Sequence, residues 1–271
     1  MNFREKLEAI IEKNNSLLCI GLDSDLEKIP KHLLKEKNPV FEFNKAIIDA
    51  TSGVVCVYKP NIAFYEAYGI EGLQQLKKTI EYLKANYPHI PVVLDAKRGD
   101  IPNTAKMYAK AAFEYWEADA VTIYPNLGLN SVLPFLEYKD KLTIVLIKTS
   151  NPDSPMFQDI MIENEPYYLH MAKKIREWNF ENIGIFVGAT YPRELQAVRD
   201  IFPEKIFLSA GIGAQEGQVK ESVQAGIDAK KSGIMFNASR SIIYASSGED
   251  FATEAKKEAE KLRDKINQYR I

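Results

Sequence analysis

The chain carries only two cysteines and three histidines among 271 residues. Cys19 and Cys56 each sit inside an apolar stretch, and their placement fits neither a zinc-ligand nor a dithiol-redox spacing, so both read as reduced core residues. His32, His89 and His170 lie far apart, without the close spacing of a metal motif, and each reads as an ordinary surface or packing side chain. No apolar run is long enough to span a bilayer. Neither sign of charge dominates, since 35 Lys plus Arg stand against 37 Asp plus Glu. A general basic field for nucleic acid is thereby excluded, and any anion site must be local. No linker, low-complexity tract or break in composition divides the chain, so residues 1–271 read as a single domain, a size that α/β barrels commonly reach undivided.

At the N-terminus, apolar residues at helical intervals with charges between them predict an amphipathic helix over about 2–14, not a secretory signal. With the reduced cysteines, this points to the cytoplasm and to no membrane partner. A second long amphipathic segment, at about 249–269, closes the chain. Between the two, short apolar runs at 17–22, 54–58, 92–95, 120–124, 143–148, 184–187, 206–209 and 233–236 alternate with amphipathic stretches at 40–50, 72–86, 104–116, 166–178, 192–201 and 216–225. Strand and helix in regular alternation predict an α/β fold, a (β/α)8 TIM barrel. A doubly wound open sheet would carry a glycine-rich nucleotide fingerprint after its first strand, and Gly21-Leu22-Asp23-Ser24-Asp25 lacks that spacing.

Barrel chemistry sits at the carboxyl ends of the strands. There the sequence supplies Asp23, Lys59, Asp95 with Lys97, Thr149-Ser150-Asn151, the run Ser209 to Gln215, and Asn237 to Arg240. The densest packet is Asp95-Ala96-Lys97-Arg98-Gly99-Asp100. Strand alternation puts Asp95 and Lys97 on one face, and Gly99 lets the chain turn directly afterwards. Such a packet reads either as a solvated loop or as a fixed carboxylate beside a fixed ammonium. Its company at the other strand ends favours the second reading.

Glycines Gly211 and Gly213, a helix beginning near Glu216 and the fork of Arg240 have the composition of a phosphate cradle, where barrels often hold phosphate. A lysine held among carboxylates stays protonated, each opposite charge within about 4 Å favouring the cation by up to roughly 4 kcal/mol at an effective dielectric near 20. Lys59, Asp95 and Lys97 therefore read as a proton-donating network. A Schiff-base lysine would have to be desolvated or crowded by another cation.

The charged packet, with Gly21-Leu22-Asp23, Tyr58-Lys59-Pro60, Lys148-Thr149-Ser150-Asn151-Pro152, Gly188-Ala189-Thr190, Gly211 to Gln215 and Ser239-Arg240 in the same order, resembles the motifs of orotidine 5'-monophosphate decarboxylases of the longer bacterial type. The resemblance runs from about residue 17 to 245. It implies a homodimer that converts orotidine 5'-monophosphate to uridine 5'-monophosphate without metal or organic cofactor. It implies catalytic roles for Lys59, Asp95 and Lys97, with Asp100 joining from the neighbouring subunit. It implies substrate binding by Asp23 and Lys59 at the ribose with the partner's Thr104 close by, Ser150 at the pyrimidine, Gln215 between base and phosphate, and Gly211, Gly213 and Arg240 at the phosphate. The segment 215–219 is expected to act as a lid.

The chain departs from the family pattern at Ala210, where proline is common, at Glu216, where a second glycine is usual, and at Asn126, where an aromatic is expected. The first two bear on the phosphate loop. Two rival functions share part of the pattern. A magnesium-dependent keto-gulonate phosphate decarboxylase or hexulose phosphate synthase would use the same Asp-x-Lys-x-x-Asp core, but Lys59 stands where such enzymes need a carboxylate for the ion. A catalytically silent nucleotide-binding barrel would not need the whole set Lys59, Asp95, Lys97 and Asp100.

Overall fold

The structure, a computed structural model, describes residues 1–212 and 216–270. Gly213 and Gln215 lie outside the described residues, as does the first residue of the segment expected as a lid. Eight parallel strands, β1 (Leu18–Gly21), β2 (Val57–Lys59), β3 (Val93–Arg98), β4 (Ala120–Ile123), β5 (Leu142–Lys148), β6 (Ile183–Val187), β7 (Phe207–Ala210) and β8 (Ile234–Ala238), form one sheet in the order β2-β1-β8-β7-β6-β5-β4-β3. Parallel bridges from Tyr58 to Val92 and from Asn61 to Asp95 join β2 to β3 and close the cylinder. All seven residues of β5 are buried, which is why the barrel strands read as near-continuous apolar runs and not as alternating ones.

The first helix, Phe3–Asn14, starts where a capping box forms: the Asn2 side chain accepts from the Glu5 N–H while the Glu5 carboxylate accepts from the Asn2 N–H. Phe3, Leu7, Ile10 and Ile11 lie on its buried face, as the period-3.6 pattern requires. The last helix runs Phe251–Gln268, inside the expected bounds. Between β4 and β5 stands a helix, Leu129–Leu136, that the periodicity does not mark. It is only eight residues long and contains Pro134. After β5 the chain adds a two-residue hairpin, Met161–Ile162 with Glu165–Pro166, before the next helix. Among the described residues no helix is long and apolar enough to cross a membrane.

A register shift lies between Leu146 and Lys148 of β5 against β6, and a larger one interrupts β3. Leu94 pairs with Val121 and Arg98 with Ile123, so the register of β3 against β4 shifts between them. Lys97, inside this bulge, has φ of 46°. That is the left-handed region, uncommon for a residue other than glycine.

Candidate active site

The irregularity in β3 falls on the charged packet, at the carboxyl end of the barrel. Lys59 ends β2 with 3 % exposure and Asp95 on β3 with 7 %. Lys59 Nζ donates to Asp95 Oδ2 at 3.0 Å and lies 3.7 Å from Asp23 Oδ1. Lys97 Nζ donates to the other Asp95 oxygen, Oδ1, at 2.7 Å. The same Oδ1 accepts from Thr122 Oγ1 at 2.8 Å. Asp95 is thus clamped between two cations and a hydroxyl.

The contact between Asp95 and Lys97 is the expected one, but its backbone origin differs from simple strand alternation. A bulge adds residues to one strand and re-aims side chains, and here it carries Lys97 into the left-handed region. Gly99 also has another reason than the turn: its φ is not positive, and a Cβ there would stand 3.0 Å from the Tyr124 carbonyl oxygen. Close backbone approach, not conformational freedom, calls for glycine at that point.

Burial pushes the Lys59 ammonium toward neutrality, and the charges of Asp23 and Asp95 overcome it, leaving its pKa above that of an ordinary lysine. Burial likewise pushes the Asp95 carboxyl up. The charges of Lys59 and Lys97, with hydrogen bonds from Lys97 and Thr122, pull it below the usual carboxylate range. Cys19 lies beneath this array, donating to Asn237 Oδ1 at 3.4 Å, and burial pushes its thiol up to about 12. It is a core thiol and no nucleophile.

Asp23 joins the charged array to a cavity of about 420 Å³ that is also lined by Ser150, Gly211, Ser239 and Arg240. The structure therefore brings the strand-end residues of β1, β5, β7 and β8 to one mouth. Gly211 has φ of 97°, a conformation that favours glycine. Arg240 is exposed, and among the described residues no hydrogen bond or ion pair engages its guanidinium. Asp23 Oδ1 is buried without a hydrogen-bond partner among the described residues. Among the described residues no hydrogen bond or ion pair joins Asp100 or Thr104 to this group. Asp100 Oδ1 accepts from the Ile101 N–H at 2.7 Å, and Thr104 is half-buried on the helix Pro102–Lys110.

A sequence model described as "Orotidine 5'-phosphate decarboxylase / HUMPS family" matches residues 16–257. The chain belongs to that family. Relatives named orotidine 5'-phosphate decarboxylase are 48% identical in Cellvibrio japonicus, covering 98% of both chains, and 48% identical in Christiangramia forsetii, covering 98% of this chain and 97% of the relative. The solved OMP decarboxylase of Leishmania donovani superposes with a TM-score of 0.85 at 36% identity, over 100% of this chain and 99% of that one. The family's fold, a TIM barrel, is the one described above.

Within the family frame, two features escape sequence reasoning. Thr122 reads in the sequence as one more β-branched strand residue, yet its hydroxyl touches the central carboxylate. Lys148, fully buried at the end of β5, pairs with Asp159 at 2.5 Å beneath the loop that carries Ser150. In the sequence Lys148 closes an apolar run and opens the motif that ends in Pro152, and neither signal shows its pairing with Asp159. Where a divalent ion would have to sit among the carboxylates, the Lys59 ammonium fills the space. Among the described residues no group of three or more His, Cys, Asp or Glu side chains is placed to hold a metal ion.

Proposed function

We infer that the protein is a carboxy-lyase that removes carbon dioxide from orotidine 5'-monophosphate to give uridine 5'-monophosphate in pyrimidine nucleotide synthesis. The observation that carries this reading is the array Lys59–Asp95–Lys97, joined through Asp23 to a cavity that ends in Arg240. In the reaction the bond from ring carbon C6 to the carboxylate breaks, and its electron pair stays on that carbon. Lys97 is the proposed donor: its ammonium stabilises the developing negative charge and then supplies the proton to C6 as carbon dioxide leaves. Its side chain is 38 % exposed while Lys59 is enclosed, which favours Lys97 as the cation that meets substrate. Asp95 would lie near the substrate carboxylate, where like charges disfavour the ground state, but the larger share is assigned to the preorganised cation.

At the remote end, Gly211, Gly213 and Arg240 are proposed to grip the phosphate, with Gln215 between phosphate and base. The exposed guanidinium of Arg240, which no hydrogen bond or ion pair engages among the described residues, and the positive φ of Gly211 support this role. Asp23 Oδ1, which accepts no hydrogen bond among the described residues, suits a ribose hydroxyl donor, and Ser150 at the cavity wall suits the pyrimidine. Asp100 and Thr104 are assigned to the neighbouring subunit's site in a homodimer. No metal or organic cofactor enters the mechanism, and the two unpaired, buried cysteines favour a cytoplasmic enzyme.

The test is an ultraviolet assay following loss of the orotate chromophore with a chelator present. Turnover should persist, and Lys97→Ala should lower kcat by about 10²–10⁴, the range for losing a positioned proton donor or charge stabiliser. Chelator-sensitive turnover would favour the magnesium-dependent rival. Binding of uridine monophosphate without consumption of orotidine monophosphate would favour the silent module.

A further inference from the structure

The bulge in β3 sets three residues, Asp95 to Lys97, opposite the single residue Thr122 of β4, between the pairs Leu94–Val121 and Arg98–Ile123. Thr122 is 1 % exposed. Its Oγ1 accepts the Ala96 N–H at 3.1 Å and the Lys97 N–H at 3.1 Å, and it donates to Asp95 Oδ1 at 2.8 Å. A hydroxyl offers one donor and two acceptor positions, and all three are used. With both lone pairs taken by backbone donors, its one proton goes to the carboxylate, which can only accept.

We propose that Thr122 is a positioning residue of the active site: its hydroxyl pins the β3 bulge and thereby holds the Asp95 carboxylate and the Lys97 backbone in the geometry at which Lys97 meets Asp95. Two part-buried donors on the bulge would otherwise lose these partners, because the shifted register removes their places in the strand ladder. The left-handed φ of Lys97 persists only where its surroundings over-determine it, and the hydroxyl contacts that residue's own N–H. One side chain on β4 thus sets both the position of the carboxylate and the take-off of the lysine proposed to donate the proton. Neither effect requires Thr122 to touch the substrate.

The inference rests on the decarboxylase reading for its kinetic arm and on geometry alone for its structural arm. Thr122→Val keeps the shape and removes the hydroxyl, whereas Thr122→Ser keeps the hydroxyl and removes a methyl. With orotidine monophosphate as substrate, Thr122→Val should lower kcat at least tenfold while KM changes less than about threefold, since the lost geometry acts on the chemical step. Thr122→Ser should stay within about fivefold of the starting kcat. Uridine monophosphate titration reports whether each variant retains a folded site. A valine variant that binds this nucleotide and turns over within threefold of the parent overturns the proposal, as does a serine variant as impaired as the valine one. A crystal structure of Thr122→Val reads the same question without activity: Lys97 should leave the left-handed region or the Asp95 carboxylate should rotate. An unchanged bulge and carboxylate sink the proposal. Failure of the unsubstituted protein to consume orotidine monophosphate sinks the decarboxylase reading, and the crystal structure still decides the role of Thr122.

Discussion

Asp95 is where the physical demands on this chain meet. A carboxylate with 7 % exposure would be a liability alone, and it is tolerable here because each oxygen faces an ammonium. Its folded-state pKa lies below the ordinary value, so the unfolded chain binds the proton more readily. The resulting stabilisation is fully present above the unfolded value near 4 and is lost as pH falls through the lower folded value. Asp95→Asn removes that titration. The stability gap between parent and variant, measured by urea unfolding at a series of pH values, should be flat above about pH 5 and should shrink as pH falls below about 4. A gap that stays constant down to acid pH would show that the two lysines do not perturb this carboxyl.

Strand β5 and the loop after it show a second use of buried charge. Lys148 Nζ lies 2.5 Å from Asp159 Oδ1 and 5.6 Å and 5.1 Å from the ring centres of Tyr168 and Tyr191. The Thr149 N–H donates to Gln158 Oε1 at 2.9 Å. On the other side, a Cβ on Gly188 would stand 2.8 Å from Ser150 Cβ. The segment carrying Ser150 is therefore held from beneath by an ion pair and from β6 by close packing. Lys148→Met leaves Asp159 without its cation. Because the Asp159 side chain is 36 % exposed, water screens the loss, and a cost of about 1–3 kcal/mol is expected instead of the roughly 3–5 kcal/mol of a fully enclosed pair. KM for orotidine monophosphate should rise more than kcat falls, and an unchanged KM would show that the pair does not hold Ser150 in place. This pairing is not legible in the sequence, since it joins residues 11 apart through a loop. The eight barrel strands are legible because burial on both faces demands apolar runs, and Lys59, Asp95 and Lys97 are legible because charges at the ends of such runs stand out. The helix Leu129–Leu136, interrupted by Pro134, and the two-residue strands near 161 and 165 are too short for periodicity to mark. Thr122 is hidden for another reason: its role is created by a bulge in the neighbouring strand.

The proposed homodimer would supply what the single barrel leaves open. Asp100 makes no ion pair with Lys59 or Lys97 of its own chain among the described residues, although it lies three positions from Lys97 in sequence. Ile101, its neighbour in the chain, is 59 % exposed, and Met107 on the helix that follows is 63 % exposed. Exposed apolar side chains on this segment suit coverage by a second copy, and a two-fold contact would carry Asp100 and Thr104 of each subunit toward the other's site. Complementation distinguishes this arrangement from an Asp100 that acts within its own chain. Lys97→Ala and Asp100→Ala should each be nearly inactive. In a mixed dimer, one site receives both substitutions, and the other combines an intact Lys97 with an intact Asp100 from the opposite subunit. Random exchange at equal concentrations makes about half of the dimers mixed, so activity should return to about a quarter of the parent value per subunit. If Asp100 acted in its own chain, every site in the mixture would carry one substitution, and activity would not recover despite subunit exchange verified with mass-labelled chains.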